Sequence, residues 1–152
     1  MELPTEAETR AALAKWEAEE ATARAANDTK KVSECRARSE QMTRQLTRLA
    51  ALPEGKGYPL RVSVSRLGSA LWVFVPGELY QEFQLAIRKR FPKFAVVIAT
   101  LTNDWQPGYI PSAASYGYGI YQEIIAAVSP GCLEALIETV GREIEQLTAL
   151  SN

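Results

Sequence analysis

The chain has 152 residues, 47% of them hydrophobic and 9% aromatic, which suffices for one compact domain burying roughly 68–70% of its unfolded-chain surface. Seventeen basic residues against eighteen acidic ones leave a net charge of −1 and a pI near 5.6, so no overall field favours an anionic membrane, and nucleic acid is not an expected partner. Histidine is absent, which removes the commonest metal ligand and the commonest general base together.

Cys35 and Cys132 are far apart and form neither a metal-ligand spacing nor a disulfide framework. Apolar runs are far shorter than the roughly 20 residues that span a bilayer. The start, MELPTEAETR, lacks the basic and apolar regions of a signal peptide, so the chain reads as soluble and untargeted as written.

Thr5 followed three residues later by Glu8 matches a capping box and predicts a helix from about Thr5 to Ala26. After Asn27 and Asp28, the positions Val32, Cys35, Ser39, Met42, Leu46 and Leu49 alternate in steps of three and four. They are the expected seam of an antiparallel hairpin with the first helix. That first helix offers mostly alanine around Leu13 and Trp16, so its packing is expected to be weak. The arm, residues 1–52, precedes an α/β portion over 58–152.

The breaker cluster LPEGKGY then changes the pattern to alternation, with Leu60, Val62 and Val64 against Arg61, Ser63 and Ser65, a half-buried strand. A Gly68-Ser69 turn leads into ALWVFV, an apolar run expected to be a strand covered on both faces. Leu79, Phe83, Ala86, Ile87 and Phe91 mark a helix that Pro92 ends, and FAVVIAT is another fully apolar strand. From Asn103 to Gly119 the chain reads as a loop, and IYQEIIAAV as an extended or buried segment. Ser129 and Pro130 open a last helix whose buried stripe is Leu133, Leu136, Ile137, Val140, Ile144 and Leu147. The fold class is α/β, a small mixed sheet with flanking helices preceded by an N-terminal helical hairpin.

Glu78 follows one buried strand and Tyr109 lies in the loop after another, so adjacent parallel strands would bring both to one edge of the sheet, where open α/β sheets bind ligands. By itself, Pro-Gly-Glu is an ordinary strand-to-helix turn. By themselves, Trp105, Tyr109, Tyr116, Tyr118 and Tyr121 are ordinary cover for the end of a core.

Together, VFVPGE, a helix, an apolar strand and then TNDWQPGYIPSAASYGYGIYQE resemble the neutral/alkaline non-lysosomal ceramidase family, from about Leu60 to Leu147. The resemblance implies that Glu78 and Tyr109 are two of the four protein ligands of a catalytic zinc. It also places two further loop tyrosines on Tyr116 and Tyr121, in a possible substrate loop with Asn103. Pro111-Ser112 stands where the family commonly has Thr-Thr. The segment from Asn103 to Tyr109 is one residue longer than usual, and Gln122 replaces a common Glu. Carboxylate oxygen is an ordinary zinc ligand, and a phenol ionises when a dication sits on its oxygen.

The family completes its zinc with two histidines and attacks its amide with a serine, and this sequence supplies neither. The implied function is therefore a fragment of a zinc-dependent amidohydrolase acting on ceramide-like lipids, inactive as this chain alone. No catalytic residue is assigned within it. It would need zinc and the missing N-terminal part of the catalytic domain as partners, and the resemblance suggests secretion or the cell envelope. The alternative is a non-catalytic interaction module in which the helical hairpin forms a homo-oligomer.

Overall fold

The computed structural model describes residues 4–55 and 57–149, and the chain divides into two compact units that part at Gly55. In the first, Thr5 caps α1 (Glu6–Ala25). Its hydroxyl accepts from the Glu8 amide at 3.2 Å, and the Glu8 carboxylate accepts from the Thr5 amide at 2.8 Å. The backbone bond holds the Glu8 carboxyl below its ordinary range, with the Thr5 hydroxyl adding to the effect. Asn27, with φ of 55°, takes the left-handed position that ends a helix. Asp28 then caps α2 (Thr29–Ala50) by accepting from the Lys31 amide at 2.9 Å.

The two helices pack against each other around Cys35, which is fully buried, with Thr9, Ala23 and Gln45. Of the expected α2 seam only Cys35 is fully enclosed; Val32, Ser39, Met42, Leu46 and Leu49 are half-buried. Two helices can shield one line of side chains from both sides, not a whole stripe. Lys31–Glu19 and Arg36–Glu20 pairs cross the interface at 3.5 Å, where solvent screens them.

The second unit is built on a sheet of order β1-β2-β4, in which β1 is Ser63–Leu67, β2 Ala70–Phe74 and β4 Ala95–Ala99. β1 and β2 form an antiparallel hairpin through Gly68-Ser69, starting three residues later than Leu60. β2 and β4 are parallel, with Trp72 beside Val97 and Phe74 beside Ala99. Between them runs α3 (Gln81–Arg90), whose last turn carries Arg88, Lys89 and Arg90, favourable charges at a helix C-terminus. Leu79 precedes this helix in a short strand, β3 (Glu78–Leu79). Leu71, Val73 and Val75 form one core with Phe83, Ile87 and Phe91, and with Leu133, Leu136, Val140 and Ile144 from α5 (Cys132–Ala149). Burying each such side chain contributes about 1.5–3 kcal/mol.

Both α3 and α5 feed that single core, so β2 alternates instead of being covered twice: Trp72 is 37% exposed on the other face, stacked on Phe74 with ring centroids 6.2 Å apart. IYQEIIAAV is not extended, because it contains α4 (Tyr121–Ile125) with Ile120, Tyr121 and Ile124 exposed. The last helix opens two residues after Pro130, since Gly131 has φ of 92° and interrupts helical geometry. Within α5, Gly141 lets Arg90 lie across the helix: a methyl there would meet the guanidinium, which bonds Glu145 at 2.9 Å and Glu138 at 3.2 Å.

Because α1 buries only Thr9 and Ala23, its amides are expected to exchange with solvent faster than those of Ala95–Ala99. Equal protection in a hydrogen-exchange experiment would contradict this account of where the stability lies.

Candidate functional site

The β2–β4 pairing runs on past the strands, since the Val75 amide donates to the Ala99 carbonyl at 2.9 Å. Both chains therefore leave the sheet at the same edge. After Pro76-Gly77 one becomes β3; after a strap over residues 100–108 the other becomes β5 (Tyr109–Ile110). The two form a separate two-stranded parallel sheet in which Glu78 is the partner of Tyr109 and Leu79 the partner of Ile110. Strand alternation then sorts the side chains. Ile110 is fully buried and Leu79 packs on the core, while Glu78 and Tyr109 share the other face.

The strap is tied down along its length. Glu78 donates its amide to the Gly108 carbonyl at 2.7 Å, Leu101 donates to the Gly77 carbonyl at 3.1 Å, and the Thr102 amide donates to the Val75 carbonyl at 3.2 Å. The Asp104 carboxylate accepts from the Gln106 amide at 3.1 Å. Gly77 has φ of 76°, and a Cβ there would lie 2.8 Å from the Gly108 oxygen and 3.2 Å from Pro107. Only glycine lets the two backbones come this close.

The negative charge of Glu78 raises the Tyr109 phenol above its ordinary value, and desolvation adds to it. Tyr121 meets the Tyr109 ring edge-on, with centroids 6.2 Å apart. Tyr116 is turned elsewhere. Its hydroxyl donates to the Val128 carbonyl at 2.8 Å, and burial first, then the neighbouring Cys132, pushes its pKa to about 12. Asn103 is exposed at a left-handed position in the strap, with φ of 68°. Of the loop residues implied by the motif, the structure thus brings Tyr121 to the Glu78–Tyr109 pair and gives Tyr116 a different neighbour.

Three further contributors to this edge had no role predicted from the sequence. Ser112, buried shortly after Tyr109, donates to Glu82 at 3.1 Å and exchanges a 2.9 Å bond with Ser115. Gly77 permits the close approach. Glu123 is 5% exposed and accepts from the Gly117 and Gly119 amides; the alternation Gly117-Tyr118-Gly119 is its only sequence signal.

A carboxylate beside a phenol is donor chemistry to which a dication can bind as the phenol ionises. Between Lys93 and Arg142 the sequence has no lysine or arginine, so the segment that builds this edge brings no cation of its own. A carboxylate oxygen is an ordinary zinc donor, and a phenol can ionise to one. A catalytic zinc takes three or more protein ligands, and among the described residues no group of three His, Cys, Asp or Glu side chains could hold a metal.

Replacing Glu78→Gln removes the charge beside the phenol, so the Tyr109 titration is expected to fall toward the ordinary value of about 10. The direction follows from the raised folded-state value: the stability that the protonated phenol contributes is present below its unfolded value and lost as pH rises through the folded one. Gly77→Ala is expected to lower the Tyr109 value too, by prising Tyr109 from Glu78, and to destabilise the unit by about 1–3 kcal/mol of backbone strain. Ultraviolet titration with Tyr109→Phe as reference, alongside thermal unfolding, checks both.

No family model, curated protein or solved structure matches the chain, so the functional reading rests on the motif resemblance and on the geometry of this edge.

Proposed function

We propose that the chain is part of a zinc-dependent amidohydrolase resembling the neutral ceramidases, and that Glu78 and Tyr109 are its contribution to the metal site. The observation that supports this reading is the register of β3 and β5, which sets the two motif residues side by side although a helix, a strand and a strap separate them. Glu78 would bind through its carboxylate and Tyr109 as phenolate. Bound zinc would polarise the acyl carbonyl of a ceramide-like amide. The further ligands and the nucleophile come from chain outside these 152 residues. Tyr121 holds the Tyr109 ring, and Asn103 and Tyr121 lie on the segments that would face a substrate.

Two oxygen ligands leave a zinc ion mostly hydrated, so the isolated chain is expected to purify without stoichiometric zinc and to release no fatty acid from ceramide. Adding zinc in large excess at neutral pH should nevertheless draw out a tyrosinate absorbance that Glu78→Ala and Tyr109→Phe each abolish. No tyrosinate at saturating zinc would sink the assignment. So would amide hydrolysis by the chain alone, which would require a nucleophile and a base that the proposal places elsewhere.

A second reading concerns the hairpin alone. Leu13, Trp16, Met42, Leu46 and Leu49 are only half-buried in a compact unit of two helices, a pattern that a second copy would complete as a four-helix arrangement. Sedimentation is expected to show a dimer that Trp16→Glu weakens. A monomer at every concentration would end this reading.

A further inference from the structure

We infer that Glu123 is a positioning residue for this site, acting through the turn that it folds around its carboxylate and through Tyr121 on the Tyr109 ring. This rests on the proposed function for what the ring does, and on geometry alone for how the ring is held.

The carboxylate is a buried acceptor held by two glycine amides. One oxygen accepts from Gly117 at 2.9 Å and the other from Gly119 at 2.8 Å. These bonds, led by the one from Gly117, hold the Glu123 carboxyl below its ordinary range. Gly117 and Gly119 have φ of 95° and 66°, the conformations that turn successive N–H groups toward one anion. Here the anion is a side chain of the same chain, and it is sealed in.

The turn has little else to hold it. Tyr118 is 77% exposed and Ile120 38% exposed, and neither belongs to the hydrophobic core. A folded conformation with two left-handed residues and no core of its own depends on its internal hydrogen bonds. Without the carboxylate, the Gly117 and Gly119 amides would lose their acceptor at once.

α4 begins at the next residue. Ile124 donates to the Ile120 carbonyl at 3.1 Å, so the end of the turn is the first turn of the helix, and Tyr121 takes its direction from it. Tyr121 is itself 61% exposed and its ring contact is with Tyr109. Little besides the turn therefore fixes where its ring points. The order of dependence runs from Glu123 to residues 117–120, to the start of α4, to Tyr121, and to the face of Tyr109 that leans toward Glu78. Glu123 touches neither member of the pair.

The test compares the full chain with Glu123→Gln and, independently, with Gly119→Ala, which strains the same turn without altering the carboxylate. In tyrosine-labelled protein, the ring-current shift that Tyr121 imposes on Tyr109 is expected to fall in both variants to the level of Tyr121→Ala, with amide protection in β2 and β4 unchanged. The zinc needed for half of the Tyr109 tyrosinate signal should rise by about 10-fold or more. A retained ring contact in Glu123→Gln overturns the inference. Global unfolding of both variants also overturns it, because the carboxylate would then determine the fold and not one ring. Loss of the ring contact in both variants, in a chain that gives no zinc-dependent tyrosinate, would uphold the positioning role and reject the zinc reading.

Discussion

The parallel pairing of β2 with β4 is the constraint on which the Glu78–Tyr109 edge depends. Parallel strands run in one direction, so their chains leave the sheet at the same end, and the segments that continue them must share that end. The core of Leu71, Val73 and Val75 against α3 and α5 fixes the pairing, and a one-residue slip would turn every buried side chain to the wrong face. The core pairing persists to the end of the strands, where Val75 bonds Ala99, and beyond the bend the strap of residues 100–108 sets Glu78 opposite Tyr109. The core supplies the placement, and the small second sheet supplies the direction in which the side chains point.

The edge itself is assembled from contacts of short range. Gly77 admits the Gly108 carbonyl, the strap returns its hydrogen bonds to Val75 and Gly77, and Glu123 gathers the amides of the following turn. None of these contributes much buried apolar area. Each replaces solvent around a backbone group that would otherwise be unsatisfied, which is how a loop dense in glycine and tyrosine comes to have one conformation.

The parts of the fold that rest on periodicity were legible in the sequence. The capping box at Thr5, the hairpin of helices, the order of strand, strand, helix and strand, and the stripe on α5 follow from spacing, and the structure has them. Legibility failed where tertiary context decides. ALWVFV reads as covered on both faces, yet the helices pack on one, and Trp72 and Phe74 shield each other on the second. IYQEIIAAV has no clear period because α4 is only five residues long. The nearness of Glu78 and Tyr109 could be inferred from two apolar strands, but their shared register could not. It depends on the length of the strap. Glu123 could not be found, since a carboxylate that binds its own backbone looks like any helical glutamate.

The company kept by the carboxylates differs across the fold. In the helices, Glu20 sits with Arg24 and Arg36, Glu19 with Lys31, and Glu138 and Glu145 with Arg90; these pairs neutralise charge and serve packing. Glu123 is neutralised by amide dipoles. Glu78 faces a neutral phenol, in a segment without lysine or arginine. For stability alone an arginine opposite Glu78 would serve better than a tyrosine whose ionisation the carboxylate opposes. An acid beside an ionisable oxygen is the arrangement in which a dication changes the balance most, because its charge reverses the repulsion that keeps the phenol protonated. Once the phenol loses its proton, the carboxylate and the phenolate are two anionic oxygens on neighbouring strands.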